Sequence, residues 1–490
     1  MLTEICGPLR AALVRNRFTA DGLVDLLGPD AHAALTRSES VPARRVSRSA
    51  GELGTLIRLF LLADDCPEDE VAAALAPLET DLAVAAGLLE RDGTQVRTAL
   101  DLRPVDLGSG DRWIISDLDD AMAARSITAD HVLGLGHASY SLLRATPTAP
   151  VDSVLDLGTG CGVQAVHAAG YAKRVTATDV NPRAIMLAAA TAALNGLDIE
   201  LLKGSWFEPI AGRRFDQIVA NPPFVVGPAR VEHTYRDSGL DLDGASKLVV
   251  SQVPQFLAEG GTAALLASWV HVAGEDWRSR VASWIPDEGI DAWVVQRDVA
   301  DPALYVGTWL RDAGLDPRDS AAKEQAERWL DHFAAAGVNG IGFGYVFLRQ
   351  IDGTSDVLAE DLTHDYDDPL GDEALAYFER SAWLRDNDVL ETSFSIEPAV
   401  ALERIYQPGG DGWEEVATRL HRTTGPRWQH ELDELATALV RGMRGDGLSL
   451  HELIAMLAIA HTGELPDTEL VAAAKQLAEA LVRHGVIAPR

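Results

Sequence analysis

Four short stretches of this chain combine residue types that could do chemistry. VANPPFVV (219–226) carries an apolar strand into Asn221, Pro222, Pro223 and Phe224, types that strand pairing does not favour. The asparagine amide oxygen can accept a hydrogen bond, paired prolines stiffen the backbone, and phenylalanine offers a flat apolar face. Such a set could grip a planar group bearing an NH2, and it could equally be a strand end followed by a proline-rich turn. DLGTGCG (156–162) sets Asp156 two residues ahead of Gly158, with Gly160 and Gly162 following. Glycines at a strand-to-helix turn let the backbone bend sharply and approach a ligand, and the helix N-terminus adds partial positive charge. The spacing Gly-x-Gly-x-Gly differs from the Gly-x-Gly-x-x-Gly of a dinucleotide pyrophosphate turn, which disfavours a nicotinamide-dependent oxidoreductase. Cys161, inside the turn, needs no redox role.

TATDVNP (176–182) ends a second strand on Asp179. A carboxylate there can accept hydrogen bonds from both hydroxyls of a ribose, or it can cap a helix that begins near Pro182. The pairing with the glycine turn favours ribose. KGSWF (203–207) adds Ser205 and Trp206, placed to hydrogen-bond and cover an adenine, or, for Trp206, to pack in the core.

These groups can meet only if strands deliver them to one edge of a sheet. SVLDLGTG, RVTATDV, IELLKGS, FDQIVANPP, GTAALLASWV, IDAWVVQRD and GFGYVFLRQ are β-branched or aromatic-rich runs, and Ala-rich helical stretches such as PRAIMLAAATAALNG lie between most of them. Apolar strands separated by helices imply a mainly parallel sheet covered on both faces. The expectation over 128–350 is a doubly wound, Rossmann-like α/β domain with seven strands. Residues 1–127 read as a mainly helical domain of winged-helix-like order: helices over EDEVAAALAPL and TDLAVAAGLLERDG, then strands in TQVRTALDLRPV and DRWIISD around DLGSGD. Modules of that kind bind nucleic acid in some proteins and proteins in others. Residues 351–490 read as an acidic segment followed by helices in WEEVATRLHR, WQHELDELATALVRGM, SLHELIAMLAIA and DTELVAAAKQLAEALVRHG, whose end echoes the N-terminal helix-to-strand pattern.

Composition bounds the function. The chain has 490 residues, 47% of them hydrophobic, and a formal net charge of −32. That balance describes folded domains rather than disorder, and it opposes close approach to phosphate backbones. The charge is uneven: residues 352–391 hold thirteen acids against Arg380 and Arg385, while residues 9–49 hold seven arginines against four acids. No stretch has the apolar length of a signal peptide core or a membrane span. Cys6, Cys66 and Cys161 stand in no metal or disulfide spacing, which fits a reducing cytoplasm and no metal.

Taken in order, VLDLGTGCG, TATDVNP, GSWF and VANPPF resemble the class I S-adenosylmethionine-dependent methyltransferases, in the branch with an Asn-Pro-Pro-Phe/Tyr motif. That branch includes release-factor glutamine, rRNA guanine-N2 and adenine-N6 methyltransferases. The resemblance covers 128–350 and implies S-adenosylmethionine as cofactor, held by Asp156, Gly158, Gly160, Gly162, Asp179, Ser205, Trp206 and Asn221. GSWF is similar to the glutamine enzymes, which usually carry Asp where Ser205 stands. LNG (194–196) and Phe224 in place of Tyr look more like the guanine-N2 branch. LGLGHASYSLL (133–143), with Ser139 and Tyr140, sits where the family places a helix over the methionine end of the cofactor, and TYRDSGLDLDG (234–244) resembles a substrate-side loop.

The resemblance also gives NPPF a mechanism. An amide or aniline-like nitrogen has its lone pair delocalised and needs orienting toward the methyl group. Asn221 Oδ1 and the Pro222 carbonyl would each accept one N–H, Pro223 would keep the carbonyls aimed, and Phe224 would stack on the planar group. The expected partner is a nucleic acid, RNA first, whose exocyclic base amine is methylated; a protein glutamine, a small molecule or a non-catalytic adaptor role are the alternatives.

Overall fold

The computed structural model describes residues 2–490 apart from 109, 119–127, 129, 224, 230–238, 313–314, 368, 411 and 445–446. Phe224 and the first part of TYRDSGLDLDG therefore lie outside the described residues. The chain forms two compact units. The first comprises Met1–Leu143, Thr148–Ile290 and Asp298–Thr354, and the second Arg144–Pro147, Asp291–Arg297 and Ser355–Arg490.

The first unit is built on strands β1 (Val151–Leu157), β2 (Ala172–Asp179), β3 (Glu200–Lys203), β4 (Phe215–Ala220) and β5 (Leu257–Val272). A sixth expected strand, β6 (Glu288–Ala300), is shared between the units, and β7 (Val338–Thr354) completes the expected set. Within the first unit the hydrogen-bonded order is β7-β5-β4-β1-β2-β3, parallel except where β5 meets β7. Residues 153–157 of β1 and 217–220 of β4 are all buried, as strands covered on both faces must be. The chain runs outward from β1 through β2 to β3 and then returns to the other side of β1 as β4. Where the order reverses, the carboxyl ends of β1 and β4 open a crevice, the usual ligand position in such sheets.

Three helices frame that edge: α1 (His137–Ala145), α2 (Val163–Ala168) and α3 (Pro182–Asn195). Helix α3 shows its boundaries in sequence. Asn181 caps it by accepting from Arg183 N, Pro182 fills the first turn where no N–H partner is needed, and Gly196 ends it in a left-handed conformation.

Upstream, helices Cys6–Arg15, Ala20–Thr36, Ser40–Ser47 and Gly51–Leu56 share a core with Leu187, Ala190 and Leu194 of α3. Helices Glu68–Leu75 and Thr80–Ala85 lead into an antiparallel ribbon, Leu89–Asp92 with Gln95–Thr98. The second helix was expected to continue to residue 93. It stops where Gly87, at φ +77°, turns the chain into a strand, so the ribbon comes earlier than the pattern implied. The hairpin Asp101–Asp106/Asp111–Ser116, expected to be that ribbon, has another use. Its outer edge is paired by side chains of α3: Trp113 N donates to Asn195 Oδ1 (3.0 Å), Asn195 Nδ2 donates to the Trp113 carbonyl (2.7 Å), and Ile115 N donates to Thr191 Oγ1 (3.1 Å). A helix thus satisfies strand groups that would otherwise be buried without partners.

In the second unit, an eighth strand that no pattern announced, β8 (Asp356–Asp361), pairs in parallel with residues 291–296 of β6, so the expected count of seven is one short. The acidic segment forms this strand and the helix Gly371–Asp386. WEEVATRLHR, read as a helix, is a strand. Gly412–Arg422 pairs antiparallel with Val400–Gly409, whose Arg404 and Tyr406 both donate to Glu415 across the ladder. The spacing of Trp413, Val416 and Leu420 suits a helix as well as a bulged strand, and the upstream partner VALERIYQPG decides it. Likewise 429–432 adds a third strand before helix Glu434–Gly442. Helices Leu450–Thr462 and Thr468–Arg483 and the short strand Ile487–Pro489 form as expected.

Replacing Asn195 with alanine should leave the N–H and carbonyl of Trp113 buried without partners. We expect a loss of about 2–4 kcal/mol in urea unfolding of the full chain. A loss below about 0.5 kcal/mol, within the range of ordinary surface substitutions, would show that the edge does not depend on this side chain.

Candidate active site

The glycine turn follows β1 directly. Gly158, Gly160 and Gly162 all have positive φ (+75°, +56° and +88°), and the turn hangs on Thr178 of β2, whose carbonyl accepts from both Gly158 N and Thr159 N (2.9 Å each). The glycines do different work. A Cβ on Gly160 would meet nothing within 4 Å, so its backbone is open to a ligand. A Cβ on Gly162 would press on Ala188 of α3 at 3.3 Å, so that position is needed for helix packing. Asp156, at 1% exposure, closes the turn from beneath: its Oδ2 accepts from Thr159 Oγ1 (2.6 Å) and Ala165 N (3.0 Å). Its Oδ1 is buried with no partner. Burial pushes this carboxyl up to about 7 against the pull of those two donors.

Asp179 ends β2 beside the same turn. Its Oδ2 accepts from Gly160 N (2.9 Å) and its Oδ1 from Asn181 N (2.8 Å), so the glycine turn and the α3 entry are tied through one carboxylate. Burial raises its pKa, and the backbone N–H groups oppose that rise. The capping role considered for Asp179 belongs to Asn181. Gly204 N donates to the Asp179 carbonyl (3.1 Å), which brings Ser205 and Trp206 to this edge. Trp206 is half-buried at φ +46°, a conformation that costs a bulky residue energy. The core position next to it is taken by Phe207, stacked on Phe256 at 4.6 Å.

Asn221 stands at the end of β4, across the crevice from the glycine turn. Its Nδ2 donates to Ser139 Oγ of α1 (3.3 Å), which leaves Oδ1 as the other end of the amide. Gln164 Nε2 in turn donates to the Ser139 carbonyl (2.9 Å), so α1, α2 and β4 are joined at one residue. Pro222 is buried and Pro223 half-buried. Beyond the motif, Val226 N donates to Tyr305 Oη (2.6 Å), and a Cβ on Gly227 would touch Trp329 at 3.2 Å. Helices Pro302–Asp312 and Ser320–Ala335 thereby hold the exit of the NPPF loop. Asn181, Gln164 and Tyr305 were not singled out from sequence. Only Asn181, in the pair Asn-Pro at a helix start, carried a readable signal.

The site fits an adenosyl amino-acid cofactor on its own terms: an open glycine cradle, an unpartnered buried acceptor in Asp156, and a second carboxylate with acceptor positions to spare. Among the described residues no cluster of His, Cys, Asp and Glu could hold a metal ion, and no helix is long and apolar enough to cross a membrane.

Parts of the chain are similar to known proteins. Residues 133–263 match the family described as methyltransferase small domain. Residues 15–99 and 375–489 each match a family described as a domain of unknown function. The chain is 36% identical over 131 residues to the release factor glutamine methyltransferase of Geobacter sulfurreducens, covering 24% of this chain and 45% of that protein. It is 32% identical over 142 residues to the ribosomal RNA small subunit methyltransferase C of Alcanivorax borkumensis, covering 26% and 40%. The chain thus spans less than half the length of either relative. A 16S rRNA N2 methyltransferase of T. thermophilus, solved with AdoMet and guanosine, matches with a TM-score of 0.27 at 20% identity over 44% of this chain and 56% of that one.

Asp156 gives a pH-dependent signature. Its folded pKa lies above the unfolded value of about 3.9, so its contribution to stability is fully present below pH 4 and is lost as pH rises through about 7. Asp156→Asn should therefore flatten the fall in unfolding free energy between pH 5 and pH 8. Identical slopes in variant and wild type would mean that Asp156 is ionised throughout.

Proposed function

We propose that the chain transfers the methyl group of S-adenosylmethionine to a planar NH2 group. The single observation that carries this is the Asn221 amide, held by Ser139 at the end of β4 beside the glycine turn. When bound, the cofactor supplies an electrophilic methyl on a sulfonium. The residues of this chain do the rest. Asn221 Oδ1 and the Pro222 carbonyl accept the two N–H groups of the acceptor, turn its nitrogen lone pair toward the methyl, and favour the positive charge that develops there. Phe224 stacks on the acceptor plane. Asp179 takes the ribose hydroxyls, Asp156 and the open backbone of Gly158 and Gly160 take the amino-acid side, and Ser205 and Trp206 take the adenine. No metal and no side-chain base is needed, since the proton can leave to water once the nitrogen is cationic.

The first reading of the acceptor is an exocyclic base amine in RNA, in line with the similarity to ribosomal RNA methyltransferases. The three-part division at 127 and 350 is proposed with it, the flanking parts presenting the acceptor. One observation favours a second reading, a protein glutamine. Of the seven arginines in the basic stretch, Arg15, Arg17, Arg37 and Arg44 are paired with Glu52, Asp25, Glu39 and Asp64, which leaves less positive surface for phosphates than the sequence suggested.

Transfer of labelled methyl into a host lysate, followed by nuclease or protease, separates the two. Asn221→Ala should leave cofactor affinity near wild type and slow transfer about 10²-fold or more; parallel loss of both would make Asn221 structural. Asp179→Ala should weaken cofactor binding by about 1.5–3 kcal/mol, the value of hydrogen bonds to a charged group. Unchanged affinity in calorimetry would remove the ribose assignment, and a wild type that binds no cofactor would leave a non-catalytic scaffold.

A further inference from the structure

The loop that carries Asp179 is held from a part of the chain outside the methyltransferase motifs. Asn181 acts at three points: its N–H donates to Asp179 Oδ1 (2.8 Å), its Oδ1 caps α3 by accepting from Arg183 N (2.9 Å), and its Nδ2 donates to the Asp130 carbonyl (2.9 Å). Arg183, in the first turn of α3, embraces the Asp117 carboxylate with Nε (2.8 Å to Oδ2) and Nη2. Asp117 is buried and is itself fixed to the same loop. It accepts from Val132 N (2.8 Å), its own N–H donates to the Val132 carbonyl (3.1 Å), and His131 Nδ1 lies 3.9 Å from it. Residues 117 and 130–132 thus form a clip over the start of α3. The far end of the same helix is held by Trp113 and Ile115, just upstream of Asp117, through Asn195 and Thr191. The N-terminal segment grips both ends of a helix that begins three residues after Asp179.

We infer that this clip positions the Asp179 carboxylate, so that Asp117, Arg183 and Asn181 are positioning residues for cofactor binding and the N-terminal segment is part of the cofactor site. The inference rests on the reading of Asp179 as the ribose carboxylate. The physical reason is preorganisation. Each Asp179 oxygen is held by one backbone N–H, which aims its remaining acceptor position outward. One of those N–H groups belongs to Asn181, and the orientation of that peptide is set on its other side only if Asn181 Nδ2 and Arg183 keep their partners. Without the clip the loop would have to be ordered at the moment of binding, and affinity would fall by that cost.

The test uses the full chain and two variants. Asn181→Ser keeps a good helix cap but has no donor that reaches Asp130. Asp117→Asn keeps the shape and removes the charge that holds Arg183. By calorimetry, each should bind S-adenosylhomocysteine about tenfold more weakly than wild type, the effect of one lost orienting contact. The same measurement with the 2′,3′-dideoxyribose analogue, which lacks the hydroxyls Asp179 would receive, should give wild-type and variant affinities that agree. Unchanged affinity of both variants for S-adenosylhomocysteine, with a wild type that binds it, overturns the inference. So does an equal loss for the dideoxy analogue, which would mark general damage to the fold. A wild type that binds S-adenosylhomocysteine and the analogue equally would instead remove the ribose reading of Asp179, and the inference with it.

Discussion

The site depends on a carboxylate that the fold has buried. Asp156 sits at the end of the central strand with almost no exposure, and taking an ionised carboxylate out of water is costly unless donors replace the water. Thr159 Oγ1 and Ala165 N supply two, one from the glycine turn and one from the first turn of α2. The carboxylate therefore draws the turn and the helix onto the strand end, and the open backbone of Gly160 faces the crevice as a consequence. The remaining oxygen has no partner in the protein. A buried acceptor left over in an otherwise saturated turn is a cost to stability that a ligand can offset, which is how functional sites commonly depart from the rules that govern cores.

Helix α3 carries that organisation outward. It starts at the Asn181 cap beside Asp179, packs Ala188 against Gly162, and presents Thr191 and Asn195 to the hairpin 111–116. Cofactor strand, glycine turn and N-terminal segment therefore share one rigid element. This is why the hairpin around residues 106–111 is tied to α3, and why the basic stretch near the N-terminus bears less on acceptor choice than its composition suggested. Its helices share the core that α3 completes, and much of its charge is spent on neighbouring acids.

The parts of the fold that were legible in sequence are those ruled by short-range chemistry. Glycines that need positive φ, an Asn-Pro helix start and strands apolar along their whole length declare themselves without a partner in view. The apolar strand runs of the α/β sheet, and the positions of Asp156, Asp179 and Asn221 at strand ends, follow from such signals. WEEVATRLHR was misread because a bulged strand and an amphipathic helix share its apolar spacing, and the strand is chosen by Val400–Gly409 across the ladder. β8 was missed because its residues are mixed in polarity and become a strand only by pairing with β6.

By itself, then, the sequence determined the α/β sheet, the glycine turn and the chemical types gathered at its edge, since those rest on backbone conformation and on side chains a few residues apart. Only the tertiary structure decided which glycine packs against a helix, and that Ser139, Gln164 and Tyr305 hold the NPPF loop. Each of those outcomes depends on a partner tens of residues or more distant in the chain. Spacing along a sequence carries no record of what a buried donor or acceptor will meet once the core has closed around it.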